Sequence, residues 1–292
     1  MENIKDISII KDVNLKNYNT YKIEAKCDYL VDVLSIQGLI DLLAYLKNNN
    51  ISYMILGNGS NVILDDYFKG VIIKLSGLNY VNISKNTVSV GAGAMMGSLA
   101  TNTINENLTG LEWAINIPGT IGGSVVNNAG AYNSEMFDNL VSIKVLNKNL
   151  EVEEILKENI VYSYRHTNIK DLGFIVLEAT FLLDDGDVEY SKEIIKDRCE
   201  RRKSSQPLDM PSAGSVFRNP EGDFAGRLIE AVGLKGKKIG GAEVSNKHAN
   251  FIVNTGNATS NDIKNLIKLI KDEVKKEFKI DLVLEQEIID WK

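Results

Sequence analysis

The chain has 292 residues, 44% of them hydrophobic and 25% charged, with a formal net charge of -6; the length exceeds one average domain, and the balance is that of a folded protein rather than a disordered or fibrous one. An acidic surplus supplies no basic field for non-specific binding of nucleic acid or acidic membranes. The N-terminus, MENIKDISIIKDVNLKNYN, has no unbroken apolar stretch, and no later segment approaches the ~18 apolar residues of a membrane span, so a cytoplasmic, soluble protein is expected.

In chain order, the spacing of Ile36, Leu39, Ile40, Leu43 and Leu46 predicts a helix, and the apolar runs YMIL and GVIIKL predict short strands. Between Val81 and Leu183 strand-like pieces dominate: NTVSVGAGA, LVSIKVLN, EVEEIL and GFIVLEATFLL. The last is too rich in β-branched and aromatic residues to favour a helix. The polar stretch DDGDVEY marks a boundary near 185–190, and SKEIIKDRCERRKSSQP then reads as a helix with Arg and Lys near its C-terminal end, where the dipole favours them. Ile263, Leu266, Ile267, Ile270, Val274 and Phe278 share one face of an amphipathic helix that starts after the capping candidates Thr259 and Ser260. The final KIDLVLEQEIID reads as a strand, with Val283, Glu285, Glu287 and Ile289 on one face and Leu282, Leu284, Gln286 and Ile288 on the other.

Cys27 and Cys199 lie far apart and outside any C-x-x-C pair, and His166 and His248 are the only histidines, so neither a disulfide framework nor a metal site is signalled. The chemistry is carried by glycine instead. LGNGSNVIL (56–64), VGAGAMMGSLA (90–100) and IPGTIGGSVVNNAGAY (117–132) are three small-residue clusters, and none matches the dinucleotide fingerprint or the Walker loop. In Gly57-Asn58-Gly59-Ser60-Asn61 successive amides can turn inward as an anion nest, with Ser60 and Asn61 as side-chain donors. In the third run the missing side chains at Gly119, Gly122, Gly123 and Gly130 permit close approach to a flat ligand, and Asn127 and Asn128 can meet its polar edges. A cluster of turns and bulges explains one such run better than a ligand does, and three such runs together bring a nucleotide-like cofactor level with it.

PSAGSVFRNP places Ser215 behind a glycine, with Arg218 and Asn219 just beyond, and is not a hydrolase nucleophile elbow. VYSYRHTN places Arg165 at a strand edge between aromatics, where a guanidinium can meet a carboxylate or simply be solvated.

Taken in order, GNGSN, IPGTIGG with NAGAY, YSYR, PSAGSVFRNP, GGAEVSNKHANFIVN and LEQEI resemble the UDP-N-acetylenolpyruvoylglucosamine reductase family of bacterial cell-wall synthesis, from about Asn19 to the C-terminus. The interval between Arg165 and Ser215 is too short for the substrate-capping insertion of that family's longer class, so the chain resembles the shorter class. The resemblance implies an α+β protein: an FAD-binding fold of the vanillyl-alcohol-oxidase type in two lobes (1–78 with 280–292, and 79–188), plus a third, α+β substrate-binding domain (189–279). It implies FAD as cofactor, NADPH as reductant and UDP-N-acetylenolpyruvoylglucosamine as substrate, with no metal and no protein partner. Gly57, Asn58, Gly59, Ser60 and Asn61 would form the diphosphate cradle, and Gly119, Thr120, Gly122, Gly123, Asn128, Gly130 and Ala131 the wall against the flavin. Ser215 would be the general acid, and Arg165 and Glu287 would hold the substrate carboxylate and the charge that develops on it. Lys203 and Asn219, with Tyr164 and His248, would bind the UDP group. The competing enzyme reading is another FAD oxidoreductase of the same fold, acting on an alcohol or lactone. The competing reading outside enzymes is a non-catalytic nucleotide-binding module.

Overall fold

A computed structural model of the chain describes residues 1–291. They divide into two compact units, one made of Met1–Lys11, Tyr29–Asn58 and Gly70–Cys199, the other of Asp12–Asp28, Gly59–Lys69 and Glu200 onward. The cut therefore falls inside the helix Val188–Ser205 rather than at its start.

In the first unit the predicted helix is Ile36–Asn48, started by Ser35, whose hydroxyl accepts from the Gly38 amide at 3.0 Å, and seated by the buried Leu39, Leu42, Leu43 and Leu46. A five-stranded antiparallel sheet takes the order Val152–Leu156, Leu140–Leu146, Ile175–Leu182, Thr87–Gly91, Val81–Ser84. Its central strand, Ile175–Leu182, is buried almost throughout, as the apolar, β-branched sequence requires. Two helices were not legible in the glycine clusters. VGAGAMMGSLA runs into the helix Met96–Asn105, and the third cluster contains the short helix Ile121–Val126, capped by Thr120. Gly97, Gly122 and Gly123 lower helix propensity, but Leu99, Ile104, Ile121 and Val125 are buried and packing decides.

The second unit is built on the helix Ser260–Phe278. Thr259 and Asp262 form a reciprocal capping box at its start, and Ile263, Leu266, Ile267, Ile270 and Val274 are buried along one stripe. They pack with Tyr21, Ile23, Ile63, Phe217, Leu228 and Leu282 into a core of the unit's own. A small antiparallel sheet, Lys238–Ile239, Ala242–Val244, Ile252–Asn254, belongs to this unit. The predicted C-terminal strand is broken: Glu287–Ile289 pairs in parallel with Val62–Leu64, while upstream Leu284 makes an isolated antiparallel bridge to Phe217. The alternation upstream of it is nonetheless real, since Leu282 and Gln286 are buried and Val283 is exposed.

Replacing Ile270, 1% exposed, by alanine is expected to lower stability by about 2–5 kcal/mol, seen as a lower urea midpoint. Lys268→Ala on the outer face should stay within about 0.5 kcal/mol.

Candidate active site

Within the first unit the three glycine clusters converge. Asn58 donates its side-chain amide to Pro118 O at 2.6 Å, tying the first cluster to the third. Backbone amides tie the third to the second: Met96 to Gly119 O at 3.0 Å, Ile121 to Ala94 O at 2.8 Å and Gly122 to Ala92 O at 2.9 Å. A side chain at Gly57 would put its Cβ 2.7 Å from Thr120 Oγ1, so the approach of the two loops demands glycine. Lys74, at the end of the strand Tyr67–Lys74, donates its ammonium to Gly57 O, and burial lowers its pKa against the opposing pull of Asp32. Sequence reasoning missed Lys74; its signal was a lone cation closing the apolar run GVIIK.

Two glycines do other work than expected. A Cβ at Gly122 would stand 3.1 Å from Ala92 Cβ, so this residue makes room for the turn that follows the strand Thr87–Gly91. Gly130 makes room first for its partner strand, where an added Cβ would stand 2.4 Å from Ser134 O and 2.9 Å from Glu135 Cβ, with Arg165 Nη1 next at 3.0 Å. Gly123 is exposed, and an added Cβ would meet only Thr120 Oγ1 at 3.5 Å. That open glycine surface fits a flat cofactor. So does Asn128, which is fully buried: its amide donates to Ser163 O at 3.0 Å, and its Oδ1 has no hydrogen-bond partner among the described residues, a cost that an N–H donor of a bound group would remove.

Tyr164 and Arg165 form the turn between the paired strands Tyr162–Ser163 and His166–Thr167. Arg165 has φ of 56°, a conformation unfavourable for a residue with a β-carbon. Its guanidinium offsets the strain by donating to Asn128 O at 3.3 Å and to Gly130 O, and it lies 5.1 Å from the centre of the exposed Tyr164 ring. The NAGAY motif thus holds Arg165 by its carbonyls. Ala131 comes next as a half-buried residue of the two-residue strand Gly130–Ala131.

In the second unit the Ser215 loop and the Glu287 strand are joined. Gly214, at φ +76°, turns the chain into Ser215. Glu285 N donates to Val216 O at 2.9 Å, Arg218 N to Val283 O at 2.9 Å, and Glu287 N to Asn61 O at 2.9 Å. The Asn61 amide returns a bond to Glu285 O at 3.1 Å, so its observed partner is backbone, beside the half-buried Ser60. Gly59 is required for another reason: at φ +65°, its Cβ would fall 2.2 Å from Tyr18 O. From the other side, Asn250 brackets Phe217, donating to its carbonyl at 2.8 Å and accepting from its amide at 3.0 Å.

Of the remaining expected residues, Lys203 is exposed near the end of its helix, and its carbonyl accepts from Lys247 Nζ at 2.6 Å. Asn219 is exposed and accepts from the Ala225 amide at 3.1 Å, at the start of the helix Ala225–Ala231. His248 is partly buried; desolvation first and Lys235 second lower its pKa, so it is neutral at pH 7. Its Nδ1 accepts from Asn250 N at 3.2 Å, which leaves Nε2 as the protonated donor.

Residues 27–155 match the family described as "FAD binding domain", and residues 206–289 match "UDP-N-acetylenolpyruvoylglucosamine reductase, C-terminal domain". With the α+β architecture and the glycine-lined surface, these matches define a flavin-binding protein with a second, dedicated domain. The UDP-N-acetylenolpyruvoylglucosamine reductase of Clostridium botulinum is 41% identical over 97% of this chain and 92% of its own length. That of Caldanaerobacter subterraneus subsp. tengcongensis is 41% identical over 100% of this chain and 97% of its own. The crystal structure of the reductase from Thermus caldophilus superposes with a TM-score of 0.83 at 31% identity, covering 97% of this chain and 99% of that one. The chain belongs to the UDP-N-acetylenolpyruvoylglucosamine reductase family.

Gly123→Leu meets open space in the apoprotein and should leave its melting temperature within a few degrees while abolishing flavin retention, read as visible absorbance after gel filtration. A Gly123→Leu protein that keeps a full complement of flavin would remove this residue from the cofactor surface.

Proposed function

We propose that this chain reduces the enolpyruvyl ether of UDP-N-acetylenolpyruvoylglucosamine to UDP-N-acetylmuramate with NADPH as reductant, a cytoplasmic step in making peptidoglycan precursors. The observation that carries the reading is the joining of the Ser215 loop to the Glu287 strand, in a chain that aligns with reductases of this name over nearly its whole length. Among the described residues no helix is long and apolar enough to cross a membrane. The three-lobe division remains part of this proposal, with segments 1–78, 79–188 and 280–292 serving the cofactor and 189–279 the substrate.

Bound FAD, once reduced by NADPH, supplies the hydride that goes to the C3 methylene carbon of the substrate. The chain's own residues must then manage the charge and the proton at C2. As C3 gains hydride, the π electrons of the enol ether collect at C2 and spread into the adjacent carboxylate. Ser215 delivers its hydroxyl proton to C2 and regains one from solvent. Arg165, its guanidinium fixed by two carbonyls, pairs with the substrate carboxylate in the fork geometry for which Arg is suited. Glu287 adds a hydrogen bond to the same developing charge; a carboxyl does this only while it carries its proton. Lys203 and Asn219 bind the UDP group, with the Nε2–H of His248 as a further donor and the exposed Tyr164 ring as a surface for it. Gly57, Asn58, Gly59, Ser60 and Asn61 would hold the diphosphate of the cofactor.

Ser215→Ala should leave flavin reduction by NADPH within about twofold and slow reoxidation by the substrate by roughly 10²- to 10⁴-fold in anaerobic stopped flow. Equal losses in the two half-reactions would argue against a proton-donor role. Lys203→Ala should raise the substrate KM with kcat nearly unchanged, since a diphosphate contact is made equally in ground and transition states; an unaltered KM would take Lys203 out of the site.

A further inference from the structure

Gln286 is a polar residue on the buried face of the C-terminal segment, 3% exposed, where the alternation with Leu282, Leu284 and Ile288 would place an aliphatic side chain. Its amide is fully engaged. Nε2 donates to Ala213 O at 3.0 Å and to Gly214 O at 3.1 Å, the two carbonyls that precede Ser215. Oε1 accepts from Tyr21 Oη at 2.9 Å. The Tyr21 ring is completely buried, and its main chain is pinned by Asn254, whose amide donates to Tyr21 O at 2.8 Å. Burial holds the phenol in its protonated form, so it is a permanent donor, with Gln286 Oε1 as its acceptor.

The partners fix the chemistry of position 286. Two carbonyl oxygens on one side require two N–H donors, and a phenolic hydroxyl on the other requires an acceptor; among side chains of this length only a primary amide provides both. The backbone on either side of Gln286 is anchored as well, since Glu285 N bonds to Val216 O and Glu287 N to Asn61 O. The side chain of Gln286 therefore ties the peptide that enters Ser215 to the strand that carries Glu287.

We infer that Gln286, seated on Tyr21, is a positioning residue that fixes where the Ser215 hydroxyl stands relative to Glu287 when the proton is delivered to C2. This rests on the proposed role of Ser215. Gly214, at φ +76°, has nothing within 4 Å of where a Cβ would stand, so at this residue the turn into Ser215 has no side-chain packing, although Ala213 and Val216 on either side are buried and Val216 N bonds to Asn250 O at 2.9 Å. The hydrogen bonds from Gln286 restrain the two peptides that lead directly into Ser215.

The test is a set of holoenzyme variants measured in anaerobic half-reactions. Gln286→Leu keeps the volume and removes all three bonds. It should slow reoxidation by the enolpyruvyl substrate by roughly 10²-fold, the effect expected of a misplacement of about 1 Å. Flavin content, reduction by NADPH and the affinity for the product UDP-N-acetylmuramate should not change. Tyr21→Phe removes one hydroxyl and should give a smaller loss in the same step. The decisive measurement is the double variant: with Ser215→Ala already present, Gln286→Leu should cause little further loss, because a positioning residue has nothing left to position. Losses that multiply in the double variant, or that fall equally on both half-reactions, would overturn the inference. Should Gln286→Leu lose its flavin, the pair Tyr21→Phe and Tyr21→Phe/Ser215→Ala carries the same comparison. If Ser215→Ala alone reoxidises normally, the role of Ser215 is what fails, whereas a selective Ser215→Ala defect beside a normal Gln286→Leu enzyme refutes only the role of Gln286.

Discussion

The second unit depends on one short run of backbone, residues 283–287, which bends at Glu285 and Gln286. It receives the Ser215 loop through Arg218 N to Val283 O and Glu285 N to Val216 O, and it holds the end of the first glycine cluster through Glu287 N to Asn61 O. Each such bond is worth about 1 kcal/mol net, but a buried peptide group left without one costs more, so the register is fixed. The segment's last residues continue in parallel with Val62–Leu64, whose Ile63 and Leu64 are wholly buried. A slip of one residue would move Leu282 and Gln286 outward and turn the exposed Val283 inward. The hydrophobic pattern and the placing of Glu287 are thus set by the same constraint.

The first unit obeys a different one, the close approach of three loops. Gly57 faces Thr120, Gly122 faces Ala92, and Gly130 faces Ser134 O and Glu135, with the guanidinium of Arg165 just beyond. Each glycine permits contact within the chain, whereas Gly123 is left exposed, with Thr120 beside it. This separates two roles that small residues share. Some make room for the protein to close on itself, and others leave a face uncovered for a flat partner.

Much of this was legible in the sequence. Periodicity gave the helices at 36–48 and 260–278, down to the capping Thr259, because a long amphipathic stripe survives any tertiary context. The family and the cofactor were legible from six ordered motifs. The short helices at 96–105 and 121–126 were not, since glycine-rich sequence has poor helix propensity and only burial of Leu99, Ile121 and Val125 decides for it. Nor could the sequence divide the glycines between their two roles, because that depends on which loops meet. Gln286 showed itself only as a polar residue on an apolar face, and its partners, Tyr21 and the Ala213–Gly214 carbonyls, lie far away in the chain.

The most direct test of the account is a visible spectrum of the purified protein, monitored without oxygen as NADPH and then UDP-N-acetylenolpyruvoylglucosamine are added. The account predicts a flavin spectrum that bleaches with NADPH and returns only with that substrate, in step with formation of UDP-N-acetylmuramate. A protein that FAD cannot reconstitute, or a reduced flavin that this substrate leaves bleached, would contradict it.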